Sequence, residues 1–345
     1  MRARRARHGP ATDSSLSATE EFIITTARAG AGVTKSLTHG PSHRGDQIFR
    51  WVVRAAGLVI LVLLAAIAVF LFVEAIPALT SDKANFFTTK AWDPDQSQVF
   101  GIAALAFGSV VSSIIALVIG VPIAVAVALY IAQYASKAIA RPLGYVIDLL
   151  AAVPSVVFGL WGLLWLVPDL IPVGQFLNTY LGWIPIFAST NQTYGKSMFA
   201  AGVVLAVMIL PIVAAISREV FVQTPTEHIE AAYALGATRW EMVRMAVLPH
   251  GRSGVISAIV LGFGRAVGET IAIALVLSAS NVISIHILDP AGATIAANIA
   301  NKFGDAGGIG RSALIASGLV LFAITLIVNF GARAVVRRSS REKKA

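Results

Sequence analysis

Two ionisable side chains, Arg265 and Glu269, stand four residues apart inside an otherwise uncharged run from 255 to 278. A charged residue at the centre of a membrane-crossing helix costs about 2.5 to 3.5 kcal/mol on insertion scales, so a simple anchor would not keep two. Arg265 lies roughly 15 Å into that run at 1.5 Å per residue, near the mid-plane of a bilayer. At 3.6 residues per turn it shares a stripe with Ser257, Ala258, Gly262, Gly268, Glu269 and Ala272, while Ile256, Val260, Phe263, Val267 and Ile271 face the other way. Two roles fit. Arg265 lowers the electrostatic barrier to an anion crossing a cavity, with Glu269 balancing or gating that charge, or the two form a buried ion pair that fixes helix positions.

The second chemistry-bearing segment is polar and reads Thr224-Pro225-Thr226-Glu227-His228-Ile229-Glu230-Ala231-Ala232-Tyr233-Ala234-Leu235-Gly236-Ala237-Thr238-Arg239-Trp240-Glu241, running on to Leu248-Pro249. Thr224 and Glu227 have capping-box spacing, with Pro225 at the first helical position. Gly236 is a helix stop, and Thr238 with Glu241 is a second capping box. Two short helices joined at Gly236 are therefore predicted. A DNA-reading helix-turn-helix needs a basic recognition helix on a free domain, and the second helix here carries Trp240, Met242, Val243, Met245 and Val247. A docking element for a soluble partner fits better, and a structured loop without a partner is the bland alternative.

The elements that must position these groups are membrane helices. Of 345 residues, 57% are hydrophobic and 13% charged, against about 25% charged in a soluble domain. Six runs are long enough to cross a bilayer, at approximately 55–73, 107–131, 146–166, 198–216, 255–278 and 312–332. The net charge of +9 suggests nucleic acid until its distribution is read. Nine Lys/Arg precede residue 55, two lie between the second and third runs, four between the fourth and fifth, and six follow residue 332. The loops on the other side hold only Lys83, Lys90, Lys196, Lys302 and Arg311. By the positive-inside rule both termini are cytoplasmic, and the basic balance reports orientation with no nucleic-acid partner.

Residues 1–45 lack an apolar run and read as a disordered cytoplasmic tail; their Arg-rich start also fits a mitochondrial transit peptide, against which Glu20 and Glu21 count. The membrane-embedded body is expected over 46–338, with the docking loop at 218–253 and a basic tail at 339–345. Outer loops fall at about 74–106, 167–197 and 279–311, where Pro94, Pro168, Pro172, Pro185 and Pro290 are expected to break long helices. Trp92, Trp165 and Trp183 are expected at the headgroups. Pro122 and Pro154 bend the second and third helices or free a carbonyl. Asp148 is expected at the positive start of the third helix.

With no cysteine, disulfides and thiol metal sites are ruled out, and the six histidines show no metal-ligand spacing. Gly195-Lys196-Ser197 mimics the end of a phosphate-binding loop, but Thr190 stands where its first glycine belongs. No catalytic residue and no bound metal or cofactor is expected, so energy must come from a partner. A secondary transporter would need intramembrane carboxylates or an inverted repeat, and a membrane enzyme a catalytic constellation.

The docking segment resembles the cytoplasmic signature of binding-protein-dependent ABC importer permeases: Glu230, Ala231, Ala232, Gly236, Leu248 and Pro249 fall at the matching positions, and Ala246 departs from the usual Ile. The runs Ala152-Val153-Pro154-Ser155-Val156-Val157-Phe158-Gly159-Leu160-Trp161-Gly162 and Gly264-Arg265-Ala266-Val267-Gly268-Glu269-Thr270 resemble phosphate-specific permeases, and Trp92-Asp93-Pro94 before Phe100-Gly101 is similar to the PstC-type subunit. The resemblance implies an all-α membrane protein with the type I ABC importer fold, whose coupling helix seats in an ATPase. It implies a translocation path at Arg265, Glu269, Ser257 and Gly268. It further implies three kinds of partner: a homologous PstA-type permease, a dimeric PstB-type ATPase that binds ATP and Mg, and an extracytoplasmic PstS-type phosphate-binding protein. Sulfate or molybdate as cargo, and a secondary anion transporter, stay open as alternatives.

Overall fold

The structure is a computed structural model that describes residues 43–190 and 194–342. The tail expected before residue 43 and the last residues of the basic tail lie outside the described residues. The chain forms two units, Met1–Ala65 and Ala66–Ala345. In the first, the described part is the opening half of helix α1, His43–Ser81, whose apolar side chains are exposed throughout. Packing is described within the second.

After α1 come the paired strands β1, Trp92–Asp93, and β2, Val99–Phe100, then α2, Ala103–Leu129, ending in a π turn at Tyr130–Tyr134. Helix α3, Lys137–Ala151, is followed by α4, Ser155–Trp161, a π turn at Gly162–Leu166 and α5, Val167–Leu181. Helix α6 is Met198–Val222, α7 Thr226–Ala234 and α8 Arg239–Met242. A π turn at Val243–Val247 leads into α9, Leu248–Gly268, then α10, Ile271–Val276, α11, Ile295–Lys302, and α12, Gly308–Glu342. Six stretches among the described residues are long and apolar enough to cross a membrane.

Helix α6 is the hub. It is the most buried span because α2, α3 and α9 all pack against it, and small residues permit the approach. A Cβ on Gly262 would come within 2.9 Å of Val213, and one on Gly120 within 3.1 Å of the Ala206 carbonyl oxygen. Without a hydrophobic force between helices in lipid, this close backbone packing supplies the association energy.

Two predicted spans are placed differently. The third crossing is Ser155–Leu181, not 146–166, and residues 146–151 belong to the separate α3, cut off at Pro154, which takes extended angles and starts α4. The helix then runs through Pro168 and Pro172, expected as breakers. A proline ring clashes with the carbonyl four residues back, and for Pro168 that residue, Leu164, lies in the wider π turn. The same device precedes Pro249, whose fourth residue back, Met245, lies in the π turn Val243–Val247. Pro122 is carried inside α2.

Asp148, expected at a helix start, sits near the end of α3 and pairs with Arg218 at 3.4 Å. Trp92 is buried against Phe100, its partner in the strand register, and is not a headgroup anchor. Trp165 and Trp183 are exposed.

Helices α4 and α10 cross where Gly159 meets Ala272; a Cβ on Gly159 would lie 2.7 Å from the Ala272 Cα. The contact is backbone to backbone, so a side chain there cannot swing clear. Gly159→Val is expected to destabilise the chain by roughly 1–3 kcal/mol, read as a lower Tm in detergent, while Gly264→Ala, with open space around it, leaves Tm unchanged.

At the end opposite α7, Asp289 joins two segments. Its carboxylate accepts hydrogen bonds from the Ser189 hydroxyl at 2.6 Å, the Thr190 hydroxyl at 2.6 Å and the Thr190 N–H at 3.2 Å. Burial alone pushes this carboxyl up; the hydrogen bonds from Ser189 and Thr190, helped by the charge of His286, outweigh burial and hold it below the ordinary carboxylate value. A lowered folded-state value means its stabilisation is present above the unfolded value of about 3.9 and is lost as pH falls through the folded one. Asp289→Asn is therefore expected to loosen this junction at neutral pH and to remove its acid sensitivity, measured as amide exchange of residues 184–190 across a pH series.

Candidate functional site

The docking segment forms largely as its residues dictate. Helix α7 begins after Pro225 and ends in a Schellman turn, the Ala237 N–H donating to the Ala232 carbonyl at 3.1 Å and the Gly236 N–H to Tyr233 at 2.9 Å. Gly236 takes φ +79°, a conformation that penalises any Cβ, although the space around it is open. The capping box of α8 is complete: the Glu241 N–H donates to the Thr238 hydroxyl at 3.4 Å and the Thr238 N–H to the Glu241 carboxylate at 2.8 Å.

The first capping box is a correction. Thr224 does not cap α7; its hydroxyl is turned inward, buried and without a hydrogen-bond partner, and Pro225 rather than Thr224 occupies the cap position. The turn is closed by backbone instead, the His228 N–H donating to the Pro225 carbonyl at 3.2 Å.

One face of this element is a small core. Ile229, Ala232 and Leu248 pack with Phe221, Met242, Val243 and Val247 against Ala128 of α2. Arg239 lies over the Tyr134 ring at 5.3 Å, and Gln133 donates to the Phe221 carbonyl at 3.3 Å, tying α8 and the end of α6 to the π turn that follows α2. The signature residues thus divide: Ala232 and Leu248 anchor, while Glu230, Ala231, Gly236 and Pro249 are exposed. Beside them Leu235 is 84% and Trp240 58% exposed, with Tyr233 and Met245 also open. These large apolar groups are left bare among exposed polar and charged residues of the same segment. Sequence reading placed Trp240 and Met245 inside a helix without separating them from the buried Met242 and Val243; the π turn that intervenes shifts the helical phase.

At the membrane site the structure changes the geometry. The helix does not continue from 255 to 278: α9 stops at Gly268, Glu269 is extended with ψ 129°, and α10 starts at Ile271. Glu269 is buried, and its Oε1 accepts from the Ala272 N–H at 3.3 Å, so the carboxylate caps α10 where the helix dipole favours it. Arg265 and Glu269 are not an ion pair; among the described residues the paired charges are Arg50 with Asp46 and Arg218 with Asp148. Arg265 is partly buried, and its Nε is shielded from solvent without a hydrogen-bond partner.

The expected stripe also divides. Ala258 and Gly262 are buried, whereas Ser257, Leu261 and Gly268 are exposed, and Gly264 and Gly268 have open space where a Cβ would lie. Phe263 and Val267, expected to face away, are buried, because the packing face of α9 is turned toward α6. Ala272 lies beyond the break. Ser257 donates to the Ser253 carbonyl at 2.9 Å and lines an open groove with Val260, Leu261, Asn329 and Arg333.

The geometry is a broken helix carrying an arginine with no ion pair among the described residues, joined through α9 to the segment 224–249 at one end of the molecule. The family model for the binding-protein-dependent transport system inner membrane component matches residues 120–341. The phosphate transport system permease protein PstC 2 of Mycobacterium tuberculosis is 46% identical over 300 residues, 86% of this chain and 93% of that protein. The phosphate transport system permease protein PstC of Xylella fastidiosa strain 9a5c is 39% identical over 87% of this chain and 93% of its own length. A crystal structure of a bacterial alginate ABC transporter in complex with an alginate pentasaccharide-bound periplasmic protein shares the fold, with a TM-score of 0.54 and 16% identity over 86% of this chain and 98% of that one. The chain belongs to the inner-membrane-component family of binding-protein-dependent transport systems, and within it to the PstC-type permeases.

Proposed function

We propose that this chain is the membrane-spanning subunit of an ATP-driven importer of inorganic phosphate, with no hydrolytic site of its own. The observation that carries this reading is the match to phosphate transport permeases over 86% of the chain, and the bare apolar surface beside Gly236 and the unpaired Arg265 support it. Both termini are cytoplasmic, following the asymmetry of Lys and Arg. An extracytoplasmic PstS-type protein delivers phosphate; a PstA-type subunit completes the path; a PstB-type ATPase dimer binds ATP and Mg and grips α7 and α8.

In this reading Arg265 works because it has no ion pair among the described residues. A cation in a low-dielectric wall attracts an anion more strongly than it would in water, and the absence of a protein carboxylate leaves that attraction for the cargo. Glu269 serves as a positioning residue: by capping α10 it holds the break that ends α9 one turn beyond Arg265. Ser257 and Gly268 lie on the open side of the same helix, where a second permease subunit would complete the path.

The test is ATPase stimulation in the reconstituted four-component complex by phosphate, sulfate and molybdate, each with the phosphate-binding protein. Phosphate alone is expected to stimulate. Stimulation by sulfate or molybdate with none by phosphate would replace the cargo while leaving the importer class intact.

A further inference from the structure

Near the start of α3 and the end of α6 lies a groove of about 290 Å³ that no role in translocation uses. Its polar wall is Arg141, Arg218 and Asp148, and its apolar wall includes Tyr145 and Val222. Arg218 crosses against the bare backbone of Gly144, where any Cβ would collide with its guanidinium, so its head is held in the groove. Asp148 pairs with Arg218 at 3.4 Å. Arg141 has no ion pair among the described residues, and Lys137 stands one turn before it on α3. Asp148 is the one acid among the groove's lining residues, and Glu219, next to Arg218 in sequence, accepts from Gln223. The groove therefore carries surplus positive charge.

The apolar groups beside it are unusually bare: Tyr145 is 71%, Leu149 70% and Val222 60% exposed. Arg141 lies four residues into α3 and Arg218 four residues before the end of α6, so both sit about 6 Å inside their helix ends at 1.5 Å per residue. That is headgroup depth, with Tyr145 and Leu149 continuing inward from Arg141 along α3, while Val222 closes the outer end of the groove at the last residue of α6. A free inorganic anion would use the arginines and leave the apolar wall uncovered; a phospholipid uses both. Basic recesses between membrane helices at the cytoplasmic leaflet bind anionic headgroups in this way.

We propose that this groove is a binding site for an anionic phospholipid of the cytoplasmic leaflet, the phosphate of the headgroup on Arg141 and Arg218 and one acyl chain along Tyr145 and Leu149. The inference rests on the orientation proposed above. Because α3 packs on α6, and α6 leads directly into Gln223 and the docking segment, an occupied groove also holds the base of that segment.

The intact complex is reconstituted in nanodiscs containing photoreactive phosphatidylglycerol or photoreactive phosphatidylcholine, and cross-linked peptides are mapped by mass spectrometry. Phosphatidylglycerol is expected to label peptides covering 137–150 and 218–223. Labelling should fall roughly five-fold in Arg141→Gln, the loss expected for one basic contact to an anionic headgroup, with no fall in Tm. Phosphatidylcholine should label weakly and equally in both proteins. Equal phosphatidylglycerol labelling of the two proteins would overturn the proposal. So would protection of these peptides by a partner subunit, which would make the groove a protein interface. Phosphate-stimulated ATPase activity measured in the same nanodiscs separates the two readings: its persistence without lipid labelling sinks the lipid site and spares the transport function.

Discussion

Gly236→Val is expected to reduce ATP-driven phosphate uptake by at least about ten-fold while the protein still inserts in the membrane. The residue takes φ +79° with nothing within 4 Å of a Cβ position, so the penalty is conformational, not a clash. Holding a β-branched residue there costs of order 1–3 kcal/mol. The chain escapes that cost by unwinding the Schellman turn, which moves Leu235 relative to Trp240 and spoils the contact surface. Gly236→Asn, which tolerates the left-handed region, should keep most of the uptake, and Gly236→Ala should fall between. If valine and asparagine behaved alike, the backbone argument would be wrong. The readout is initial uptake per assembled complex, with ATPase co-purification scored alongside.

Arg265→Ala is expected to lower phosphate transport about 100-fold, within the roughly 2 to 5 kcal/mol lost when one partner of a desolvated charge contact is removed. Assembly should survive, because among the described residues Arg265 makes no ion pair and its Nε has no hydrogen-bond partner. Removing a structural ion-pair partner would do the opposite and destabilise the fold. Arg265→Lys should recover part of the rate by restoring a point charge. Glu269→Gln separates the two residues: an amide oxygen can still accept from the Ala272 N–H, so the break between α9 and α10 is retained and transport should fall much less. Normal uptake in Arg265→Ala with an intact complex would exclude the pathway role.

The elements governed by short-range chemistry were legible before the structure. Gly236 as a helix stop and Thr238 with Glu241 as a capping box are local motifs, each closed within five residues. Six spans and their order followed from runs too apolar to leave lipid. Long-range packing was not legible. Thr224 and Glu227 have the spacing of a capping box, but Thr224 is buried with its hydroxyl unpartnered and Pro225 takes the cap position. Pro168 read as a breaker because a π turn leaves no composition signal, yet that turn makes room for the proline ring that follows it; the helix carries Pro172 as well.

The break at Glu269 is the most instructive of these. Helical periodicity continues smoothly through Gly268-Glu269-Thr270, so a stripe drawn at 3.6 residues per turn carries Arg265 onto Glu269 and Ala272. The structure ends α9 there because Glu269 satisfies the first donors of α10 with its own carboxylate, a favourable arrangement that competes with one more helical turn. Glycines at 264 and 268 with no neighbour near them, followed by Glu-Thr, were the available signal. Trp92 was misplaced for a related reason: its burial depends on strand pairing with Phe100, and two-residue strands are invisible to periodicity.

The central claim is that this chain forms an anion path which opens only when an ATPase acts on it through residues 224–249. Proteoliposomes loaded with ATP and Mg, containing both permease subunits and the binding protein, test it by uptake of labelled phosphate with and without the ATPase subunit. The account predicts uptake with the ATPase and none above background without it. Phosphate movement at an equal rate in its absence would contradict the account and make the protein a secondary transporter or channel.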